Sequence, residues 1–200
     1  MTAQPESILD VFRQTGAYLS GHFQLTSGLH SPEYLQCALV LQHPEIAERL
    51  GAKLAAELRR EAGAEKIAVV VSPAMGGLII GHEVARALGT RFLFTERDSV
   101  SGKMILRRGF ALQPGEAAVV VEDVITTGGS TREVVDILKA SGARAIAVGS
   151  IIDRSGGKAQ VGAPRVALAT LDVVAYQPED CPLCRQGLTV SKPGSRNPPR

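Results

Sequence analysis

The chain has 200 residues, with 22 Lys+Arg against 20 Asp+Glu and a formal net charge of +2. Apolar residues make up 44% and charged residues 21%, the balance of a globular protein with a real core, and the near-neutral charge without a basic run interleaved with aromatics excludes a general nucleic-acid surface. Aromatics are only 4% and Trp is absent, so Val, Ala, Leu and Ile must build that core.

Met1 to Asp10 lacks a basic region followed by an apolar run, and no apolar stretch approaches a membrane span. A cytoplasmic protein without membrane attachment is therefore expected. Pro5 to Thr15 predicts a short amphipathic helix through Ile8, Leu9, Val11 and Phe12, ended by Gly16. Ala17 to Gln36 is irregular in period and contains Pro32, which predicts a strand or hairpin with a long loop. Pro44 to Ala62 predicts a helix, with Pro44 near its start and Ile46, Leu50, Leu54 and Leu58 on one stripe.

From there the pattern alternates. Ile67 to Val71 is a β-branched run followed by Ser72-Pro73-Ala74-Met75-Gly76-Gly77 and a helix from about Leu78 to Leu88. Arg91 to Thr95 is a second strand and Val119 to Val121, with its flanks, a third. A helix from about Ser130 to Ala140 is closed by Gly142, and Ala145 to Ile152 and Val166 to Val174 are further strands. The tail from Lys192 to Arg200 is rich in Pro, Ser and Arg and reads as frayed.

Continuous Val/Ile runs alternating with helices predict an α/β fold, a doubly wound and mostly parallel sheet flanked by helices on both faces. The expected organisation is a single domain over 1–200: a small N-terminal hood element at 1–43, the core α/β sheet at 44–175 and a C-terminal extension at 176–200. Ligands on such sheets bind beyond the carboxyl ends of the strands. Those ends are Ser72 to Gly77, Arg97 onward, Glu122 to Ser130, and Asp153-Arg154, so the chemistry-bearing residues fall on one edge.

The richest of these ends is the third. A buried strand runs into Glu122 and Asp123, then Val124, Ile125, Thr126, Thr127, Gly128, Gly129 and Ser130, and then a helix. The glycines let the backbone curl so that successive amides point at one anion, and the helix start adds positive dipole and hydroxyl donors. The two carboxylates suit sugar hydroxyls or developing positive charge better than a phosphate. No Lys follows the glycines, so the Walker pattern is absent. The combination suits a phosphorylated sugar.

This segment resembles the signature of the type I phosphoribosyltransferase family: a hydrophobic strand, two acidic residues and a Thr/Gly-rich loop, with Glu122 in place of the commoner Asp. The resemblance implies the fold of that family and binding of 5-phosphoribosyl 1-diphosphate with Mg²⁺ as cofactor. The Mg²⁺ would be held through the substrate, with no direct side-chain ligand and with Glu122 and Asp123 one step removed. Three more segments are similar to the orotate branch of the family. They are Phe23 to Tyr34, with Thr26 where many relatives carry Lys, the loop Ser72 to Gly77, and Thr95-Glu96-Arg97 followed by Asp98 to Gly109. The last resembles a mobile loop that covers the active site and that of a neighbouring subunit, which implies a homodimer.

In that loop Arg97 matches the diphosphate-binding Arg. The usual Lys-x-x-Lys-x-His pattern is not reproduced, because Asp98 occupies a Lys position. Lys103 is its sole lysine and the candidate catalytic cation, with Arg107 and Arg108 in reserve. The resemblance also assigns Thr126 and Arg154 to orotate, and a guanidinium can hold a planar carboxylate by two parallel hydrogen bonds. The implied reaction joins a ring nitrogen of orotate to ribose C1 and yields orotidine 5′-monophosphate in pyrimidine (UMP) biosynthesis. Arg97, Lys103 and Asp123 are the candidate catalytic residues, and no general base is nominated. The alternatives are a purine-type phosphoribosyltransferase, which would leave Arg154 without a carboxylate to serve, and a non-catalytic regulator that binds the sugar diphosphate. The latter would be expected to carry a DNA-binding helix-turn-helix, for which the first forty-odd residues are too short.

Cys37, Cys181 and Cys184 do not form a disulfide framework. Cys181-Pro182-Leu183-Cys184 has the spacing of half a zinc site, but the chain has no second Cys pair. The favoured reading is a turn with two free thiols, with a disulfide or an intersubunit zinc as the other options. His22, His30, His43 and His82 are scattered and show no ligand spacing.

Overall fold

The structure is a computed structural model that describes residues 7–25 and 27–193. The Pro5 start of the first predicted helix, Thr26 and most of the Lys192–Arg200 tail lie outside the described residues. Two compact units emerge, Met1–Val40 together with Asp172–Arg200, and Leu41–Leu171.

The Leu41–Leu171 unit is built on the Val/Ile runs. Strands β3 (Val69–Pro73), β4 (Arg91–Arg97), β5 (Met104–Leu106), β6 (Ala117–Ile125), β7 (Arg144–Asp153) and β8 (Arg165–Thr170) form one sheet in the order β5-β4-β3-β6-β7-β8. All neighbours are parallel except β4 and β5, which pair antiparallel with Thr95 opposite Leu106. Helices α3 (Pro44–Ala62) and α4 (Gly77–Leu88) pack on each other, α3 also against β7 and β8 and α4 against β3 and β6. Helix α5 (Gly129–Ala140) supplies Val134, Val135 and Leu138 to a separate core with Val69, Val71, Ala118 and Val120. Period-2 alternation along the strands then directs Val70, Val119 and Val121, all fully buried, to the opposite face.

Sequence sets the bounds of α3 directly. His43 is extended, Pro44 occupies the first turn where its missing N–H costs nothing, and Leu50, Leu54 and Leu58 bury one stripe. Gly51 lets α4 approach, since a Cβ there would lie 2.5 Å from the Glu83 Cβ. Two short elements escaped prediction, the helix α2 (Cys37–Leu41) and β5. The strand predicted to run to Val174 ends at Thr170.

In the other unit, α1 (Ile8–Gln14) starts at Ser7, whose side chain caps the Asp10 amide, and β1 (Tyr18–Gln24) pairs antiparallel with β2 (His30–Leu35). Bridges Phe23↔Ser191 and His30↔Tyr176 lay the C-terminal segment beside this hairpin. A short 3-10 turn (Pro178–Asp180) and α6 (Pro182–Arg185) follow Tyr176. The histidines are not all scattered. His22, His30, Cys181 and Cys184 converge, with ligand atoms within 4.8 Å of one another.

Candidate active site

Because β3 and β6 are parallel neighbours, the loops that follow them open on the same edge of the sheet. Each loop runs into a 12-residue helix, α4 after β3 and α5 after β6, and neither N-cap makes a side-chain capping bond. The first-turn amides of a helix have no intrahelical acceptor, so the two adjacent termini present donors and positive dipole ends. The edge thus presents two helix N-termini side by side.

Gly128 caps α5 with φ 78°, a left-handed conformation, and a Cβ there would lie 2.8 Å from Val161 Cγ1. Only Gly fits that corner. Thr126, Thr127 and Gly129 are exposed on the loop, while Val124 and Ser130 are half-buried and Ile125 buried. Glu122 is buried and accepts a hydrogen bond from Ser130 Oγ at 3.1 Å. Asp123 Oδ1 accepts from the Val124 amide at 2.7 Å. Burial holds both carboxyls above the usual carboxylate range; Glu122 stands well above it, lifted further by the neighbouring Asp123 charge.

The loop after β3 closes over this pair. A Cβ on Gly76 would lie 2.6 Å from Asp123 Oδ1, and one on Gly77 would lie 2.8 Å from the Val121 carbonyl. Buried oxygen atoms of this kind suit sugar hydroxyls and a hard divalent cation brought with the substrate. The residues present therefore fit Mg²⁺ held through the substrate.

At the end of β7, the Arg154 amide donates to the Ile125 carbonyl at 2.8 Å, which fixes Arg154 beside the start of the Thr126 loop. Asp153 turns elsewhere: it is buried, pairs with Arg165 at 3.0 Å and accepts from the Ser155 amide at 2.8 Å. The Asp153 side chain is thus committed to the fold rather than to Arg154.

At the end of β4, Arg97 Nη2 donates to Glu133 Oε1 on α5 at 3.0 Å, and Glu133 also accepts from the Met104 amide at 3.0 Å. The Asp98 carboxylate accepts from the Val100 amide, the Ser101 amide and Ser101 Oγ, so it organises a tight β4–β5 turn. Arg107 and Arg108 both pair with Glu96, at 3.1 and 2.5 Å. Lys103 is exposed, and its ammonium has no partner among the described residues. Sequence reasoning missed Glu133, Glu96 and the Gly76–Asp123 approach. The i+3 spacing of Ser130 and Glu133 on α5 was the one available signal, because it directs both toward neighbouring strand ends.

The phosphoribosyl transferase domain family matches residues 39–182. An orotate phosphoribosyltransferase from Pelotomaculum thermopropionicum is 56% identical over 191 residues, covering 96% of this chain and 97% of the relative. One from Desulforamulus reducens is 53% identical over 191 residues with the same coverage. The crystal structure of orotate phosphoribosyltransferase from Aeropyrum pernix superposes with a TM-score of 0.68 at 26% identity, covering 82% of this chain and 93% of that one.

Proposed function

The chain belongs to the phosphoribosyl transferase domain family, and from that premise we infer that it transfers the 5-phosphoribosyl group from 5-phosphoribosyl 1-diphosphate to orotate. The products are orotidine 5′-monophosphate and diphosphate, a step of pyrimidine biosynthesis. One observation carries the substrate assignment: two uncapped helix N-termini on adjacent strand ends flank the carboxylate pair of buried Glu122 and half-buried Asp123. A substrate with anions at both ends of a polyhydroxyl ring suits that spacing of donors and acceptors. Relatives named for orotate, matching across nearly the whole chain, support orotate as the base.

In this reading the amides and hydroxyls of Thr126, Thr127, Gly128, Gly129 and Ser130 hold the 5-phosphate, and those at Gly76 and Gly77 face the diphosphate. Glu122 and Asp123 accept hydrogen bonds from the ribose hydroxyls. A ring nitrogen of orotate attacks ribose C1 as the C1–O bond to diphosphate breaks; the diphosphate leaves with the bonding electron pair and the nitrogen releases its proton. Arg97 and Lys103 stabilise the charge that develops on it. Mg²⁺, when bound with the substrate, supplies further neutralisation of that group. Asp123 faces the positive charge that grows on the sugar. Thr126 and Arg154 orient orotate, Arg154 by a two-pronged bond to its carboxylate. Folding the hairpin over the site excludes the water that would otherwise hydrolyse the activated sugar. A homodimer sharing that hairpin between subunits, in the cytoplasm, completes the proposal.

The test is the fall in orotate absorbance on adding 5-phosphoribosyl 1-diphosphate and Mg²⁺. Turnover of adenine or hypoxanthine with no loss of orotate would overturn the assignment of the base. Binding of the sugar diphosphate without turnover of any base would favour a regulator.

A further inference from the structure

We propose that His22, His30, Cys181 and Cys184 form a structural zinc site that clasps the β1–β2 hairpin to the C-terminal segment. All four residues lie within the Met1–Val40 and Asp172–Arg200 unit, and none of them is given a part in the phosphoribosyl chemistry.

The first support is geometric. His22 Nε2 lies 3.6 Å from Cys181 Sγ, 3.7 Å from Cys184 Sγ and 2.9 Å from His30 Nδ1. Cys184 Sγ lies 3.3 Å from His30 Nδ1. In a tetrahedral site with Zn–S near 2.3 Å and Zn–N near 2.0–2.1 Å, N–S edges are roughly 3.6 Å and N–N edges roughly 3.4 Å. These four edges fall within about half an ångström of those values, and no two of the ligand atoms are more than 4.8 Å apart, so a central cation needs side-chain adjustments on the order of 1 Å.

The second support is the hydrogen bond that orients His22. His22 Nδ1 lies 2.8 Å from the Leu188 carbonyl, which can only accept, so Nδ1 donates there and Nε2 is the ring nitrogen left to face the cluster. A second partner that fixes the tautomer in this way is the usual support of a metal-binding histidine. His22, His30 and Cys181 are buried and Cys184 is exposed, so the cluster is a largely enclosed set of two sulfurs and two imidazoles, a donor set that suits a soft or borderline divalent cation. Zinc suits this mixed nitrogen and sulfur set, and binding releases the two thiol protons.

The third support is need. This unit is small, buried apolar side chains are few among its described residues (Val11, Phe12, Ala17, Phe23 and Leu35 among them), and its two chain segments are far apart in sequence. Small units of this kind commonly require a staple. The Cys-x-x-Cys turn supplies two ligands on the C-terminal segment. The antiparallel register of β1 and β2, which sets Gln24 opposite His30, brings the two histidines to the same end of the hairpin.

Metal analysis of the full-length protein, purified without chelators, tests this. About one zinc per chain is expected. Replacing zinc with Co²⁺ should give the intense visible absorption of tetrahedral cobalt with a near-ultraviolet thiolate band. Cys184→Ser should weaken that band and lower zinc affinity by at least about tenfold, and Cys37→Ser should change neither. A zinc-selective chelator should lower Tm and make Cys181 and Cys184 react with a thiol reagent that the native protein resists. Zinc-free protein that takes up no Co²⁺, or a Cys181–Cys184 disulfide found by mass spectrometry, would overturn the proposal. So would Cys184→Ser protein that keeps full zinc affinity.

Discussion

Gly76→Ala separates the stability of the β3–α4 loop from its function. The wild-type residue has φ −57° and ψ −43°, an ordinary right-handed conformation that alanine adopts freely. Backbone entropy alone would make the substitution stabilising by roughly 0.5–1 kcal/mol. The new Cβ, however, would lie 2.6 Å from Asp123 Oδ1 and 2.8 Å from its Cγ and Oδ2. That is about 0.8 Å short of ordinary contact at 3.4 Å. The Asp123 carboxyl is enclosed and held by the Val124 amide, so it must swing away or push the loop outward. A displacement approaching 1 Å in a positioned group costs on the order of 10²-fold in rate. The expected result, read from initial rates of orotate loss, is a fall in kcat/KM of about 30- to 100-fold, with Tm within about 3 °C of the parent. An Asp123→Ala background supplies the control, because Gly76→Ala should then cost little more. A Gly76→Ala enzyme with kcat/KM within about threefold of the parent would refute the role given to Asp123.

Two further outcomes follow from the same geometry. Lys103→Ala should lower kcat by about 10²- to 10³-fold and leave Tm within roughly 1 °C, because the side chain is exposed and buries nothing; an unchanged rate would move the role to Arg107 or Arg108. Glu122→Gln should raise stability at neutral pH by on the order of 1–3 kcal/mol, because a buried carboxylate becomes a neutral amide that still accepts from Ser130. Burial and the neighbouring Asp123 charge hold the folded-state pKa of Glu122 well above its ordinary carboxylate value, so ionisation destabilises the fold. The penalty is absent below that value, grows as pH rises through the raised folded pKa and is complete above it. The gap in Tm between variant and parent, measured by thermal melts across pH, should therefore close on acidification, and a gap that widens would refute the assignment.

The parallel sheet was legible because its signals are local. Each central strand is a run of β-branched residues, and α3 carries Pro44 at its start, a leucine stripe along its face and Gly63 at its end. The corner between β6 and α5 was legible for the same reason. The features that escaped depend on partners far away in the chain. Strand β5 has three residues and exists through its pairing with Thr95 to Arg97, so no periodicity could reveal it. Gly76 reads as one loop glycine among several until β6 brings Asp123 against it. His22 and His30 show no helical spacing because a hairpin, not a helix, joins them, and their cysteine partners lie more than 150 positions away in the chain. A signal was present nonetheless: two histidines flanking a predicted turn, in a chain with one unmatched Cys-x-x-Cys.

The hairpin from β4 to β5 shows how a departure from the family pattern can be absorbed. Where that pattern carries Lys, Asp98 instead binds two amides and a hydroxyl of its own turn, and those bonds, led by the Ser101 amide, lower its pKa. The turn is therefore preformed and one cation is missing. Of the remaining cations, Arg97 faces Glu133, and Arg107 and Arg108 share Glu96, whose carboxyl they hold down at about 2. These arginines thus keep acidic partners throughout the physiological range. Exposed pairs of this type contribute only about 0–1 kcal/mol each. A diphosphate, with more charge and more acceptor oxygens than one carboxylate, can draw Arg97 from Glu133 without unfolding either strand. The pair with Glu133 holds the guanidinium at the strand end and gives it up at little cost. Lys103 has no such partner to leave among the described residues, which supports the proposal that it meets the charge appearing only as the bond to diphosphate breaks.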